Sequence, residues 1–282
     1  MLKPKIVLSI KNLSKKLGNR EVLKNVNLDL ERGDIIGITG KNGSGKTTLL
    51  RIIIGLFYPS SGDVIIEGKK LTPGLLGNLP TNVSALIENP TFLPEFTGFQ
   101  NLKILASIRN KISDEDIKNT MDLVGLSPSN RKNVSKYSLG MKQRLGIAQA
   151  IMEKPGLILF DEPTNALDSD GVKIFNDIVH NMSKNGTSFI MVSHKKEDIY
   201  TLCNKVYKIE NGELNIIHNQ KEWRIVVDDL VDLENLLRLY PKGNVMKRIN
   251  GHPSVIYKND WENSAQIHEV LNKNKINTIS IE

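Results

Sequence analysis

The sequence has little of several features that mark other classes of protein. Cys203 is the only cysteine among 282 residues, which excludes an intramolecular disulfide and is typical of a reducing cytoplasm. No apolar run approaches the roughly 18 residues that a membrane-spanning helix needs, and the N-terminal apolar stretch is too short for a secretory signal. Lysine and arginine form no dense block with interleaved aromatic residues, so direct nucleic-acid binding is not expected.

The composition is that of a soluble globular protein. Charged residues make up 24% and hydrophobic residues 39% of the chain, which is long enough for one large or two modest domains. The net charge is +7, and residues 215–282 hold nine basic and nine acidic side chains, so the basic excess lies in residues 1–214. Such a surface can meet nucleic acid, an anionic membrane or a phosphorylated ligand, although scattered surface lysines are sufficient to explain the charge alone.

Short strands that alternate with helices fill most of residues 1–214. Residues 6–13 and 21–30 alternate apolar and polar side chains, which predicts two antiparallel strands. Three apolar runs predict buried strands: "DIIGITG" (34–40), "GLILFDEP" (156–163) and "TSFIMVSH" (187–194). Residues 91–150 are mostly helical in pattern. We therefore expect an α/β fold with a mainly parallel sheet and an inserted helical block.

The tail differs from this pattern. Residues 215–282 contain segments in the order β-α-β-β-α-β, which predicts a small α+β module of ferredoxin-like topology. The alternative is that these segments extend the main domain. We expect a separate accessory domain, with the boundary after residue 214.

A glycine-rich loop between the first buried strand and a helical segment predicts a phosphate-binding site. "GKNGSGKTT" fits the pattern G-x-x-x-x-G-K-[ST]. Glycines let backbone N–H groups turn toward phosphate oxygens, and the helix adds the positive end of its dipole. Lys46 is expected to reach the β- and γ-phosphates, and the Thr47 hydroxyl to bind Mg²⁺. The candidate nucleotide-binding residues of the loop are Gly40, Lys41, Asn42, Gly43, Ser44, Gly45, Lys46, Thr47 and Thr48.

An acidic pair ends the second buried strand. Asp161 is placed to hold Mg²⁺, directly or through a bound water, and Glu162 to accept a proton from an attacking water. A single metal-bound nucleotide therefore explains both the phosphate loop and the acidic pair, and the two motifs together predict a nucleotide hydrolase that uses Mg²⁺.

The segment "KYSLGMKQRLGIAQAI" (136–151) precedes the acidic strand, "EPTNALD" (162–168) follows it, and His194 ends the next strand. Together with the phosphate loop, these motifs resemble the ATP-binding-cassette (ABC) ATPases over about residues 5–214. The resemblance implies a P-loop core with an N-terminal antiparallel β subdomain and a helical subdomain at about 91–150. The tail would be a small ferredoxin-like addition to that core.

The resemblance also implies a homodimer that sandwiches two ATP molecules head to tail. The signature residues of one subunit would face the nucleotide of the other; they are Ser138, Leu139, Gly140 and Met141. His194 would contact the γ-phosphate, Glu162 would be the general base, and Asp168 would couple the two sites across the interface.

Three positions depart from the family pattern. Leu17 stands where the family usually has an aromatic residue against adenine, so we expect weaker or less selective base binding. Leu139 and Met141 make the signature degenerate. Glu88, at the end of an apolar strand, replaces a glutamine, and we expect it to approach Mg²⁺ and act in catalysis.

Glu88, the segment "YSLGMKQRL" and a small C-terminal extension together resemble the ATPases of bacitracin-resistance and lantibiotic-immunity exporters. The expected function is the ATPase subunit of a multi-subunit exporter of an antimicrobial peptide, peripheral on the inner face of the membrane and bound to separate transmembrane permease subunits. Two alternatives stay open: the same machinery with an ion, drug or polysaccharide as cargo, and a soluble ABC ATPase that acts on nucleic acid or ribosomes.

Overall fold

A computed structural model describes residues 5–72, 80–88, 90–195, 199, 201–217, 222–258 and 264–281. The chain divides into two units, residues 1–217 and 218–282. The boundary expected after residue 214 falls inside a strand, β10 (Glu213–Ile217), which pairs along its whole length with β9 (Lys205–Glu210). The first unit therefore continues to residue 217.

The first sheet of unit 1 is antiparallel. Its order is β2-β1-β4-β5, formed by β1 (Ile6–Leu17), β2 (Arg20–Glu31), β4 (Ser61–Ile66) and β5 (Lys69–Lys70). The two predicted N-terminal strands are thus present, and both extend further than the alternating segments. Their apolar side chains lie in one core; Leu8, Leu13 and Leu30 are fully buried.

The second sheet has six strands in the order β10-β9-β3-β8-β7-β6. The strands β3 (Ile35–Thr39), β6 (Val83–Leu86), β7 (Leu157–Asp161), β8 (Ser188–Val192) and β9 run parallel, and β10 is antiparallel at the edge. Every residue of β7 and β8 is buried. The continuous apolar runs of these strands are what a sheet covered on both faces requires.

The helices that accompany these strands in unit 1 include α1 (Lys46–Ile53), α2 (Gly98–Arg109), α3 (Asp114–Leu123), α4 (Leu139–Ile151) and α5 (Ser169–Lys184). Helices α2 to α4 make up the predicted helical block. The N-termini of α2 and α3 are fixed by capping boxes, which are formed by Thr97 and Ser113. None of the helices that the structure describes has the length and hydropathy to span a bilayer.

Unit 2 contains β11 (Glu222–Val227), α6 (Leu230–Leu239), β12 (Asn244–Ile249), β13 (His252–Lys258), α7 (Ser264–Lys273) and β14 (Thr278–Ile281). Its antiparallel sheet has the order β12-β13-β11-β14, and the element order is β-α-β-β-α-β, as the tail pattern predicts. A separate core forms around the buried Tyr257, whose hydroxyl donates a hydrogen bond to the Tyr240 carbonyl at 3.0 Å.

Candidate functional site

Strand register brings three of the predicted residues to one edge of the parallel sheet. Leu86 pairs with Phe160 and Asp161 pairs with Val192, so the chain after each strand emerges at the same carboxyl edge. Glu88, Glu162 and His194 lie there, one or two residues beyond the ends of β6, β7 and β8. In parallel α/β sheets this edge is where ligands bind.

The phosphate loop connects β3 to α1 in the conformation that its glycines permit. Gly40, Gly43 and Gly45 have φ angles of 153°, 74° and 108°. A Cβ atom on Gly40 would lie 2.7 Å from the Ile209 carbonyl oxygen, so only glycine fits there. The predicted strand–loop–helix context is therefore present.

Lys46 folds back over this loop. Its Nζ donates hydrogen bonds to the carbonyl oxygens of Gly40 and Lys41 at 2.8 and 3.0 Å, and the residue is buried. The Ser44 hydroxyl is also buried and has no hydrogen-bond partner among the described residues. A buried cation and an unpaired hydroxyl inside a glycine loop suit an anion with several oxygens.

Thr47 and Asp161 form the predicted metal-binding pair. The Thr47 hydroxyl donates to Asp161 Oδ2 at 2.6 Å. Burial raises the pKa of the Asp161 carboxyl, although the bond from Thr47 and the charge of Lys46 act in the opposite direction. No three His, Cys, Asp or Glu side chains within the described ranges cluster as a metal site. A hydroxyl and one carboxylate fit Mg²⁺, which also keeps waters and takes phosphate oxygens as ligands.

Glu162 and His194 contact each other directly. Glu162 Oε1 accepts a hydrogen bond from the His194 backbone N–H at 3.0 Å and lies 2.9 Å from the ring Nδ1. Its second oxygen, Oε2, is buried without a hydrogen-bond partner among the described residues. The Glu162 backbone is left-handed, with φ of 52°, which is uncommon for a residue with a side chain. One carboxylate oxygen is thus anchored and the other is left for a further ligand.

Glu88 lies at the same edge of the sheet, and it too has a left-handed backbone, with φ of 62°. Its carboxylate forms an ion pair with Arg51 of α1, whose guanidinium lies 5.3 Å from the centre of the Phe57 ring. Its negative charge contributes to the raised pKa of Asp161. The carboxylate that is predicted to approach a metal therefore has a cationic partner, Arg51, in this structure.

These residues surround a cavity of about 730 Å³. One part is bounded by the β1–β2 hairpin, through Leu17, Arg20 and Val22, and another by the acidic pair and Glu88. His194 is not among the lining residues. Five lining residues are not among the predicted site residues, namely Arg20, Val22, Gln143, Asn165 and Ala166. Gln143 could have been predicted from the sequence, because it lies within the signature segment 136–151.

The signature residues begin α4. Ser138 is the N-cap, and its hydroxyl accepts a hydrogen bond from the Met141 N–H at 3.2 Å. A Cβ on Gly140 would lie 2.9 Å from the Ala166 carbonyl oxygen, so this glycine permits close approach to the loop after β7. Leu139 is 63% exposed and lines the cavity of its own chain. Gln143 is buried and donates to the Pro163 carbonyl at 2.8 Å.

Asp168 has two partners within its own chain. Its Oδ1 accepts from the Gly171 N–H at 3.0 Å, which caps α5, and from Arg144 Nη2 at 2.8 Å. The bond from Gly171, and then the contact with Arg144, hold the pKa of this carboxyl below its usual range. Arg144 also donates to the Val124 carbonyl at 3.0 Å, so it joins the helical block to the loop that carries Asp168.

The fold and the site define a P-loop nucleotide hydrolase, and comparisons with known proteins narrow the class. The sequence profile of the family described as ABC transporter matches residues 23–165. The chain belongs to this family: it is an ABC transporter ATP-binding subunit and an ATPase.

Three relatives are similar over most of this chain. "Uncharacterized ABC transporter ATP-binding protein YdbJ" of Bacillus subtilis is 36% identical over 269 residues, 95% of this chain and 84% of that protein. "Bacitracin transport ATP-binding protein BcrA" of Enterococcus faecalis is 37% identical over 74% of this chain and 68% of its own length. "Lantibiotic transport ATP-binding protein SrtF" of Streptococcus pyogenes is 32% identical over 74% and 89%.

Solved structures show the same fold. An ATP-binding subunit of an ABC transporter superposes with a TM-score of 0.68 at 25% identity, covering 74% of this chain and 88% of that one. The ATP-binding cassette MJ0796, in a dimer bound to ADP and phosphate, has a TM-score of 0.63 at 24% identity, covering 73% and 96%. The expected α/β fold of the ABC ATPases is confirmed.

Proposed function

We propose that this chain is the ATP-hydrolysing subunit of a multi-subunit exporter that expels an antimicrobial peptide of the bacitracin or lantibiotic kind. The relatives named for bacitracin and lantibiotic transport support this cargo. The observation that carries the energising role is the site itself, where the phosphate loop, Asp161 and Glu162 meet in one cavity. Ion, drug or polysaccharide efflux by the same machinery is the alternative cargo.

The nucleotide phosphates lie on the loop Gly40–Thr48 in this proposal. Lys46 leaves the carbonyl oxygens that it contacts and donates to the β- and γ-phosphates, which offer full negative charge in place of a dipole. Thr47 and Asp161 hold Mg²⁺, which neutralises charge on the phosphate oxygens when bound. Because Asp161 is buried with a raised pKa, a cation beside it removes the cost of its ionised form.

Glu162 is proposed as the general base. Its Oε1 is fixed by the His194 backbone N–H, so the partnerless Oε2 is the oxygen placed to accept a proton from the attacking water. The His194 ring is oriented by Glu162 Oε1, at 2.9 Å from Nδ1. His194 does not line the cavity in this structure, and the proposal assigns it a contact with the γ-phosphate once the nucleotide is bound. Glu88 would be the third acidic participant and would contact the metal and its waters in place of its present partner Arg51.

The proposed active unit is a homodimer. Ser138 uses its oxygen as the cap of α4, which leaves its O–H to donate to the γ-phosphate bound by the other subunit, beside the N–H groups at the start of the helix. Leu139, 63% exposed, and Met141 are proposed to complete this surface. Asp168 is proposed to couple the two sites across the interface.

The subunit is proposed to work in the cytoplasm, on the inner face of the membrane, against separate transmembrane permease subunits. Helix α2 offers a surface for them, because Ile104 and Ile108 are 40% and 77% exposed and apolar side chains of this kind favour a protein partner. ATP binding closes the dimer and hydrolysis reopens it, which gives the permease two states.

The test is to delete the chain from its source cell and measure growth inhibition by bacitracin, a lantibiotic and an unrelated antibiotic. We expect greater sensitivity to one peptide class only, restored by the wild-type chain and not by Glu162→Gln. Unchanged sensitivity to both peptides would contradict the proposed cargo.

Co-purification separates the remaining alternative. A tagged chain from the membrane fraction is expected to bring down a polytopic membrane protein. Recovery of ribosomal RNA in its place would favour the alternative hypothesis of a soluble ATPase that acts on nucleic acid or ribosomes.

A further inference from the structure

The nucleotide cavity ends at the β1–β2 hairpin, and that end has an unusual chemistry. Leu17 and Arg20 are the last pair of the hairpin ladder, directly opposite each other, and both line the cavity together with Val22. Leu17 is 45% exposed. This part of the cavity therefore offers an aliphatic side chain and a guanidinium in place of an aromatic ring.

The hairpin lies on the side of the phosphate loop away from Asp161, toward which the nucleoside of a bound nucleotide would extend. At the helix end of the phosphate loop, Thr47 bonds to Asp161 beside the proposed hydrolytic centre. At the other side of the loop, Arg20 Nη2 donates to the Gly43 carbonyl at 3.3 Å, and a Cβ on Gly45 would lie 3.0 Å from the Val22 carbonyl oxygen. A phosphate chain that follows the loop away from Asp161 thus delivers its ribose and base to Leu17, Arg20 and Val22.

We propose that Arg20 is the base-binding residue of this site and that its planar guanidinium stacks on the face of a purine. A guanidinium is flat, delocalised and more weakly hydrated than an ammonium, so it stacks on aromatic faces as lysine cannot. The contact with Gly43 holds the group at the cavity rim, and Arg20 forms no ion pair with any residue in the described ranges. Leu17 supplies apolar contact to the same base.

A second role for Arg20 has to be distinguished from stacking. A cation beside the phosphate loop would also attract the triphosphate without touching the base. Charge attraction acts on any polyphosphate, whereas stacking acts only on a ligand with an aromatic ring. The inference rests on nucleotide binding at this loop and not on the proposed peptide cargo.

The experiment compares two ligands, ATP and inorganic tripolyphosphate, by titration calorimetry with Mg²⁺ present. Arg20→Lys keeps the positive charge and removes the plane. We expect it to weaken ATP binding by about threefold to tenfold, as for a partly desolvated cation–π contact, and to leave tripolyphosphate binding close to that of the wild type. Arg20→Ala is expected to weaken ATP binding at least as much.

A second variant restores an aromatic surface from the opposite strand. Leu17→Tyr in the Arg20→Lys background is expected to recover ATP affinity, because the new ring offers a face at the same end of the cavity. Thermal unfolding of each variant checks that the exposed hairpin end tolerates the substitutions.

Four results would overturn the inference. Equal losses for ATP and tripolyphosphate would assign Arg20 to the phosphates, and no loss for either would remove it from the site. A wild-type chain that binds tripolyphosphate and ATP equally well would show that the base makes no contact at all. A wild-type chain that binds neither ligand would instead count against the nucleotide site itself, and with it against the stacking.

Discussion

The substitution Glu162→Gln tests the proposed catalytic centre most directly. Glutamine keeps a carbonyl oxygen where Glu162 Oε1 now accepts the His194 N–H at 3.0 Å, so the strand ends should stay in place. The other oxygen, the buried Oε2, becomes an amide that cannot accept a proton. The change therefore removes basicity with little change of shape.

The size of the effect follows from that difference. General-base assistance contributes about 10²–10⁴-fold, which is about 2.7 to 5.4 kcal/mol in activation free energy. The stability effect should be far smaller, about 1 kcal/mol or less, because the retained bond is between neutral groups. We expect steady-state phosphate release to fall by at least about a hundredfold, with ATP binding retained and an ATP-bound dimer accumulating.

The matched control is Glu153→Gln, which makes the same chemical change at a residue paired with Arg109 at 3.0 Å on the helical block. It should leave phosphate release nearly unchanged. Turnover by Glu162→Gln within about threefold of the wild type would refute the assignment, because no general base can be lost at so small a cost. Loss of ATP binding together with turnover would show that Glu162 holds the site together instead.

Three further outcomes follow from the structure. Asp161→Asn should raise the melting temperature of the nucleotide-free protein near neutral pH, because burial raises the pKa of this carboxyl and its ionised form therefore destabilises the folded protein. The increase should shrink as the pH falls toward about 4, where the carboxyl becomes protonated, and an increase that grew on acidification would contradict the raised pKa. Glu88→Gln, which breaks the partly exposed ion pair with Arg51, should leave ATP affinity and stability nearly unchanged and should alter the hydrolysis rate or its coupling to export. Unchanged ATPase activity and peptide resistance would show that Glu88 is a solvated turn residue without a role in catalysis. Cys203 should resist alkylation by iodoacetamide at about pH 8 until the protein unfolds, because burial raises the pKa of its thiol to about 12. Rapid alkylation of the native protein would show that the segment before β9 becomes exposed to solvent without global unfolding.

Much of this architecture could be predicted from the sequence because its signals are local. The apolar runs of β7 and β8 and the glycines before α1 specify buried strands and a phosphate loop without reference to distant residues. The alternation in β1 and β2 likewise predicts a sheet with one buried face. The order of elements in the tail was sufficient to predict the topology of unit 2.

The partners of the site residues could not be predicted, because they depend on contacts between distant segments. Nothing local in the sequence indicates that Glu88 meets Arg51, or that Asp168 accepts a hydrogen bond from Arg144. The left-handed backbone conformations of Glu88 and Glu162 could not be predicted either, because glycine and asparagine are the residues that usually indicate such turns. The predicted boundary after residue 214 falls inside β10, because the end of this strand is set by its pairing with β9 and not by a local signal.

The contact between Gln143 and Pro163 has a mechanical consequence. The side chain ties α4 to the segment directly after Asp161 and Glu162, and the close approach of Gly140 to Ala166 adds a second point on the same segment. The start of α4 is therefore joined at two points to the segment that follows Glu162. In the proposed homodimer, a displacement of Ser138 by the nucleotide of the other subunit would be transmitted through these two contacts to Glu162 of the same chain, so that occupancy of one site would alter the geometry of the other.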